Sequence, residues 1–179
     1  MGCLAGFSVE AKAQEVVHAL TGTVSSIDTV AKTITLFTDK GSEAQFRPLA
    51  DPQERLVFDK KIRANAMAAD TFKEYGKYVI VFYFGYSDVR TAVAVRSLGQ
   101  GPFMSAIGTV VKFDGRGHSI SIKDESGAVQ SFKITGDTIA ETGVGVMDGF
   151  KFHTDEGNRV RVVATTVNDS PTALFINER

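Results

Sequence analysis

The sequence predicts an all-β protein with one short helix, folded as two successive five-stranded barrels. Three observations carry this expectation. Residues 22–46 and 108–132 are related at a constant offset of 86, without a gap. Apolar residues alternate with polar ones through most of both segments, which is the period of a half-buried strand. Gly, Asp, Asn and Ser recur at short intervals between the alternating runs, as closely spaced strands require.

The first segment reads GTVSSIDTVAKTITLFTDKGSEAQF and the second GTVVKFDGRGHSISIKDESGAVQSF. Seven positions are identical: Gly22 and Gly108, Thr23 and Thr109, Val24 and Val110, Asp28 and Asp114, Ile34 and Ile120, Gly41 and Gly127, Phe46 and Phe132. Unrelated segments would share about one or two at ordinary residue usage. The segments therefore read as two copies of one unit.

Each copy parses as a three-stranded meander. In the first, the strands are Leu20 to Asp28, Thr33 to Phe37 and Ala44 to Arg47, with a turn at Lys40-Gly41. In the second, Ile107, Thr109, Val111 and Phe113 alternate with Gly108, Val110 and Lys112 up to a turn at 114–117. Ile120 and Ile122 then share one face and Ser119, Ser121 and Lys123 the other, and Ser126-Gly127 turns the chain into Val129 to Ile134. Asp28 and Asp114, identical in the repeat, are expected to cap the first hairpin.

After the meander the copies differ in length. In the first, Phe58, Ile62, Ala66 and Ala69 fall at helical spacing, predicting a helical insert over 59–74 with Asp59 as N-cap and Gly76 as its stop. Strands follow at Lys77 to Phe84 and Arg90 to Ser97. In the second, GDTIAETGVGVMDG reads as a shorter connector to strands at Phe150 to His153 and Arg159 to Val167. Both units then read strand, strand, strand, connector, strand, strand, the order of a five-stranded OB-like barrel; an SH3-like barrel is the nearest alternative. Leu98-Gly99-Gln100-Gly101-Pro102 breaks the strand pattern, dividing the chain into 15–101 and 102–179.

The pattern G-T-V-x-x-[IF]-D…[TS]-I…G…F resembles a secreted bacterial domain family of unknown function with an OB-like barrel, often found in tandem. The resemblance covers about the first third of each unit. It implies a location outside the cytoplasm and brings no catalytic or binding residues with it.

Residues 1–14 agree with that location. They are small and apolar from Gly2 to Val9 and end in Ala11-Lys12-Ala13, so they read as a truncated signal peptide cleaved before Gln14. Gly2-Cys3 is the alternative, as the end of a lipidation motif. A periplasmic or extracellular protein is expected, and no apolar run reaches the roughly 18 residues of a membrane-spanning helix.

The residues that could carry chemistry are sparse. The net charge is −1, and none of the three histidines has metal-ligand spacing. Carboxylates recur at turns, at Asp39, Asp114, Asp124-Glu125 and Asp155-Glu156, without the spacing of a calcium loop. Thr142-Gly143-Val144-Gly145 lacks the third glycine of a dinucleotide fingerprint. No metal, cofactor or enzymatic activity is expected.

Binding is the natural work of such a barrel, across its second and third strands. Those strands offer Thr33, Thr35 and Phe37 in one copy and Ser119, Ser121 and Lys123 in the other. The surface is hydroxyl-rich and weakly charged, suited to a glycan or small polar ligand rather than nucleic acid. The segment 75–86 is apolar on both faces. Tyr78, Ile80, Phe82, Phe84 and Tyr86 lie on one side and Val79, Val81 and Tyr83 on the other. Either the chain covers its outer face, or Tyr78, Phe82, Tyr83, Phe84 and Tyr86 form an interaction surface for a protein partner or a second copy. The function expected is an exported non-enzymatic structural or protein-interaction module, with a polar-ligand or glycan binder as the alternative.

Overall fold

A computed structural model of the chain describes residues 14–50, 56–86, 88–99 and 101–179. The segment read as an export signal lies outside the described residues apart from Gln14, and so does Cys3. The first half contains β1 (Glu15–Val16), β2 (His18–Asp28), β3 (Thr33–Thr38), β4 (Glu43–Pro48), β5 (Leu56–Val57), α1 (Lys60–Ala64), β6 (Met67–Ala68), a 3-10 turn at Ala69–Thr71, β7 (Tyr78–Phe84) and β8 (Val89–Gly99). The second contains β9 (Met104–Asp114), β10 (Ser119–Lys123), β11 (Val129–Lys133), β12 (Ile139–Thr142), β13 (Gly145–Asp148), β14 (Arg159–Val167) and β15 (Ser170–Glu178).

In the first half, β4, β3, β2, β7 and β8 are neighbours in that order. β4 also runs parallel to β8 from Gln45 opposite Val89 to Pro48 opposite Ala92, which closes five strands into a barrel. In the second half the order is β11, β10, β9, β14, β15, extended by β12 and β13, and β11 meets β15 at one bridge, Lys133 opposite Thr172. The two meanders agree in detail. Ser25 and Val111, 86 apart, are the extra residues of a bulge against the second strand. Lys32 and His118 both take positive φ, at 52° and 50°. Asp28 Oδ1 accepts from the amides of Val30 and Ala31, and Asp114 Oδ1 from those of Arg116 and Gly117, so both aspartates cap their hairpins as expected.

The alternation along β7 divides the core. Val79 and Val81 point into the barrel with Val24, Ile34, Leu36 and Phe46. Ile80, Phe82 and Phe84 point out of it and pack with Val17, Ile139, Val163 and Phe175 in a third apolar cluster, between the halves. Burying one such Phe contributes about 1.5–3 kcal/mol. Val163 lies on β14, which pairs with β9 as β7 pairs with β2. Each half therefore covers the outer face of the other's fourth strand.

Three expectations are corrected. The helical insert shrinks to Lys60–Ala64, capped by Asp59 but ended at Asn65 rather than Gly76, because Met67 and Ala68 leave to pair with Val95 and Ala94 of β8. In the second half, Phe150 to His153 is not a strand but a turn and the segment after it, which drop Phe152 into the apolar core of that half. The fourth and fifth strands there are β14 and β15, joined by Asn168 and Asp169, both at positive φ. The connector is itself a hairpin, β12 and β13, whose turn is the Thr142 to Gly145 segment.

Candidate functional site

Two of the places where polar side chains gather are candidate sites. The first lies at the margin of the contact between the halves. Strand alternation turns Arg161 of β14 away from the interior shared by Val160 and Val162 and toward the first half, where its side chain is only 5% exposed. Its guanidinium donates to Asp39 Oδ2 at 2.7 Å and to the Thr21 hydroxyl, and lies 5.5 Å from the centre of the Phe175 ring. The Thr21 hydroxyl donates in turn to Asp39, and the Tyr78 hydroxyl does so at 2.8 Å. Burial pushes the Tyr78 phenol up to about 12, with the neighbouring Asp39 carboxylate adding to the rise.

Glu141 of β12 completes this cluster. Its Oε1 lies 2.7 Å from His18 Nδ1, and its Oε2 accepts from the Ala19 amide at 2.9 Å. Burial raises its carboxyl above the usual range against the opposing pull of His18. Thr21, Asp39, Glu141 and Arg161, together with Thr38, Lys40 and Tyr83, line a cavity of about 110 Å³. At a liquid share of roughly 30 Å³ per molecule it has room for a few waters. The carboxylates and the guanidinium are paired with partners from the opposite half, so the arrangement acts as a polar clamp between the halves. Among the described residues no group of His, Cys, Asp or Glu has the geometry to hold a metal.

The second place is the open outer face of β9, β10 and β11. The register sets Ser121 opposite Ser131 on one side and Lys112 on the other, with the two serine hydroxyls 2.8 Å apart. Ser119 stands between Lys133 and Asp114, and Lys123 between Val129 and Thr109. Thr109 is followed by Arg159 of β14, which pairs with Glu125 at 2.9 Å. Lys112, Lys123 and Lys133 are exposed, and among the described residues none of them makes an ion pair or side-chain hydrogen bond. In the first half the corresponding rows are Gln45, Thr35 and Ser26, then Glu43, Phe37 and Thr23.

Of the residues picked out for ligand binding, Ser119, Ser121 and Lys123 share this open face. Thr35 is half-buried, Phe37 is 53% exposed and Thr33 is buried. Of those picked out for interaction, Phe82 and Phe84 are buried in the contact between the halves, and Tyr78 and Tyr83 are half-buried. Tyr86 alone of the five is exposed. The outer face of β7 is thus covered within the chain, because β14, β15 and β12 supply Val163, Phe175 and Ile139 against it.

Sequence reasoning missed the clamp. Its one signal was Arg161, a lone cation inside the apolar run Val160 to Ala164, the mark of a strand whose outer face is buried against a partner charge. Asp39 read as a turn residue. Lys112, Lys133 and Ser131 were missed because a face becomes visible only when three strands are in register. Comparison of the sequence with models of known protein families and with curated proteins finds no match to either.

Proposed function

We propose that the chain is an exported, non-enzymatic binding module of two OB-like barrels, which takes a glycan or other polar ligand on the open face of β9, β10 and β11. Strand order supports the OB-like reading. In each half the first three strands form a meander, the fourth pairs with the first, the fifth with the fourth, and the third runs parallel to the fifth. Export rests on Ala11 and Ala13 before Gln14. The non-enzymatic reading is supported by the clamp, whose ionisable groups hold one another across the two halves.

The observation that carries ligand binding is the exposed Ser121 and Ser131 pair in the middle of a three-stranded face. Each hydroxyl both donates and accepts, which suits ligand hydroxyl groups. A protein-interaction role was expected on the outer face of β7, and the second half already occupies that face. Titration calorimetry of the chain against a panel of soluble polysaccharides tests the reading. Binding by at least one, weakened in Ser121→Val and Ser131→Val, is the expected result; a panel with no binder, or binding untouched by either variant, overturns it.

A further inference from the structure

We infer that the β9, β10 and β11 face takes an acidic linear polysaccharide, one that carries carboxylates among its hydroxyl groups; this rests on the polar-ligand reading above. Two halves with matched strands present two comparable faces, and they differ in charge. The first half sets Glu43 and Arg47 around Thr35 and Phe37. The second sets Lys112, Lys123 and Lys133 around Ser119, Ser121 and Ser131. The three lysines come from three different strands.

Lys133 and Lys112 flank β10 from opposite sides, one opposite Ser119 and the other opposite Ser121, with backbones roughly 12 Å apart across two inter-strand spacings and a two-residue step. Lys123 lies one step further along β10. Each row across the three strands therefore carries one lysine: Lys133 beside Ser119 and Asp114, Lys112 beside Ser121 and Ser131, and Lys123 beside Val129 and Thr109, so a ligand lying over neighbouring rows meets cations and hydroxyls together. Arg159 has its Glu125 partner, Asp114 Oδ1 accepts from the amides of Arg116 and Gly117, and Asp124 Oδ1 from those of Ser126 and Ala128, so two carboxylates border the face and the three lysines outnumber them. The whole chain carries a net charge of −1, which makes this concentration of cations local.

The chemistry separates sugar acids from nucleic acids. Non-specific single-strand binding relies on aromatic rings on which bases stack, beside the backbone cations. No aromatic side chain stands in the rows of this face, since Phe113 and Phe132 pair with Ile120 and turn inward with it. Serine hydroxyls in that position match sugar hydroxyls, and lysines act as point charges toward carboxylates.

The test uses the full chain and three probes: polygalacturonate, neutral dextran and an oligothymidylate, titrated at low and high salt. Polygalacturonate is expected to bind at least about tenfold more tightly than dextran and to weaken as salt rises. The variant Lys112→Glu/Lys123→Glu/Lys133→Glu should lose roughly tenfold or more, as should Lys→Gln at the same positions, which covers a folding defect from charge reversal. Lys60→Glu/Arg63→Glu/Lys73→Glu, an equal charge change on exposed residues of the first half, should bind like the parent. Dextran binding as well as polygalacturonate, indifferent to the lysine variants, overturns the inference and leaves the polar-ligand reading standing. Tighter binding of oligothymidylate overturns it in favour of a nucleic acid. Binding of none of the three overturns it together with the reading it rests on.

Discussion

Gly22 and Gly108, 86 residues apart, meet the same obstacle. A Cβ added to Gly22 would sit 2.5 Å from the Phe37 carbonyl oxygen, and one added to Gly108 would sit 2.5 Å from that of Lys123, the position 86 residues after Phe37. In both halves the second strand crosses the first so closely that only a hydrogen fits. Gly22→Ala and Gly108→Ala should each cost about 1–3 kcal/mol, since backbone rather than a flexible side chain must move. Gly143→Ala, where a Cβ meets nothing within 4 Å, should be nearly neutral. Urea denaturation of the three variants makes the comparison.

The clamp around Arg161 predicts strong coupling. Arg161→Ala removes the cation facing Asp39 and should destabilise the chain by about 2–3 kcal/mol, below the figure for a fully buried pair because the Asp39 side chain is 23% exposed. Asp39→Asn should cost less, since Thr21 and Tyr78 still find an oxygen there. A double-mutant cycle on the two positions should return a coupling above about 1 kcal/mol.

Two carboxylates that join the halves should have opposite pH signatures. Burial raises Glu141 above its ordinary 4.5, so the folded state holds its proton longer than the unfolded chain does. Its contribution therefore falls as pH climbs from about 4.5 through the raised value. Asp59 is lowered from 3.8, chiefly by its hydrogen bond from Lys151, so its contribution is present above 3.8 and is lost as pH falls through the depressed value. Stability measured from pH 2 to 8 should show a shallower decline on the alkaline side in Glu141→Gln. In Asp59→Asn the acid-side loss should be reduced instead.

Tyr78 gives a direct spectroscopic readout. Its phenol, pushed up to about 12, should add the last step to tyrosinate absorbance in an alkaline titration, and Tyr78→Phe should remove that step. The folded state gains nothing from ionising it, so this group lowers stability as pH rises from 10 toward 12.

How much could be read in advance varied with the range of the interactions. The meanders were legible because period-2 alternation and turn residues are local signals, and Asp28 and Asp114 cap their own hairpins. The insert was less so: Phe58, Ile62 and Ala66 do have helical spacing, but Met67 and Ala68 gain more by pairing with β8 than by extending five helical residues. Phe150-Lys151-Phe152 looked like a strand because a buried Phe marks a turn that plugs an apolar core as well as it marks a strand. The real final turn was signalled by Asn168-Asp169, a pair that tolerates positive φ. The clamp was out of reach, since Thr21 and Arg161 are 140 residues apart and belong to different halves.

Val17 holds both halves at once. Its amide is bonded to the Val57 carbonyl in the first half and its carbonyl to the Val146 amide in the second, while its side chain is fully buried. Tension applied through the N-terminal side is thus shared by both halves through backbone bonds. A cargo or anchor joined ahead of Gln14 would be carried by the whole body as a stiff attachment point, and would not swing with one half alone.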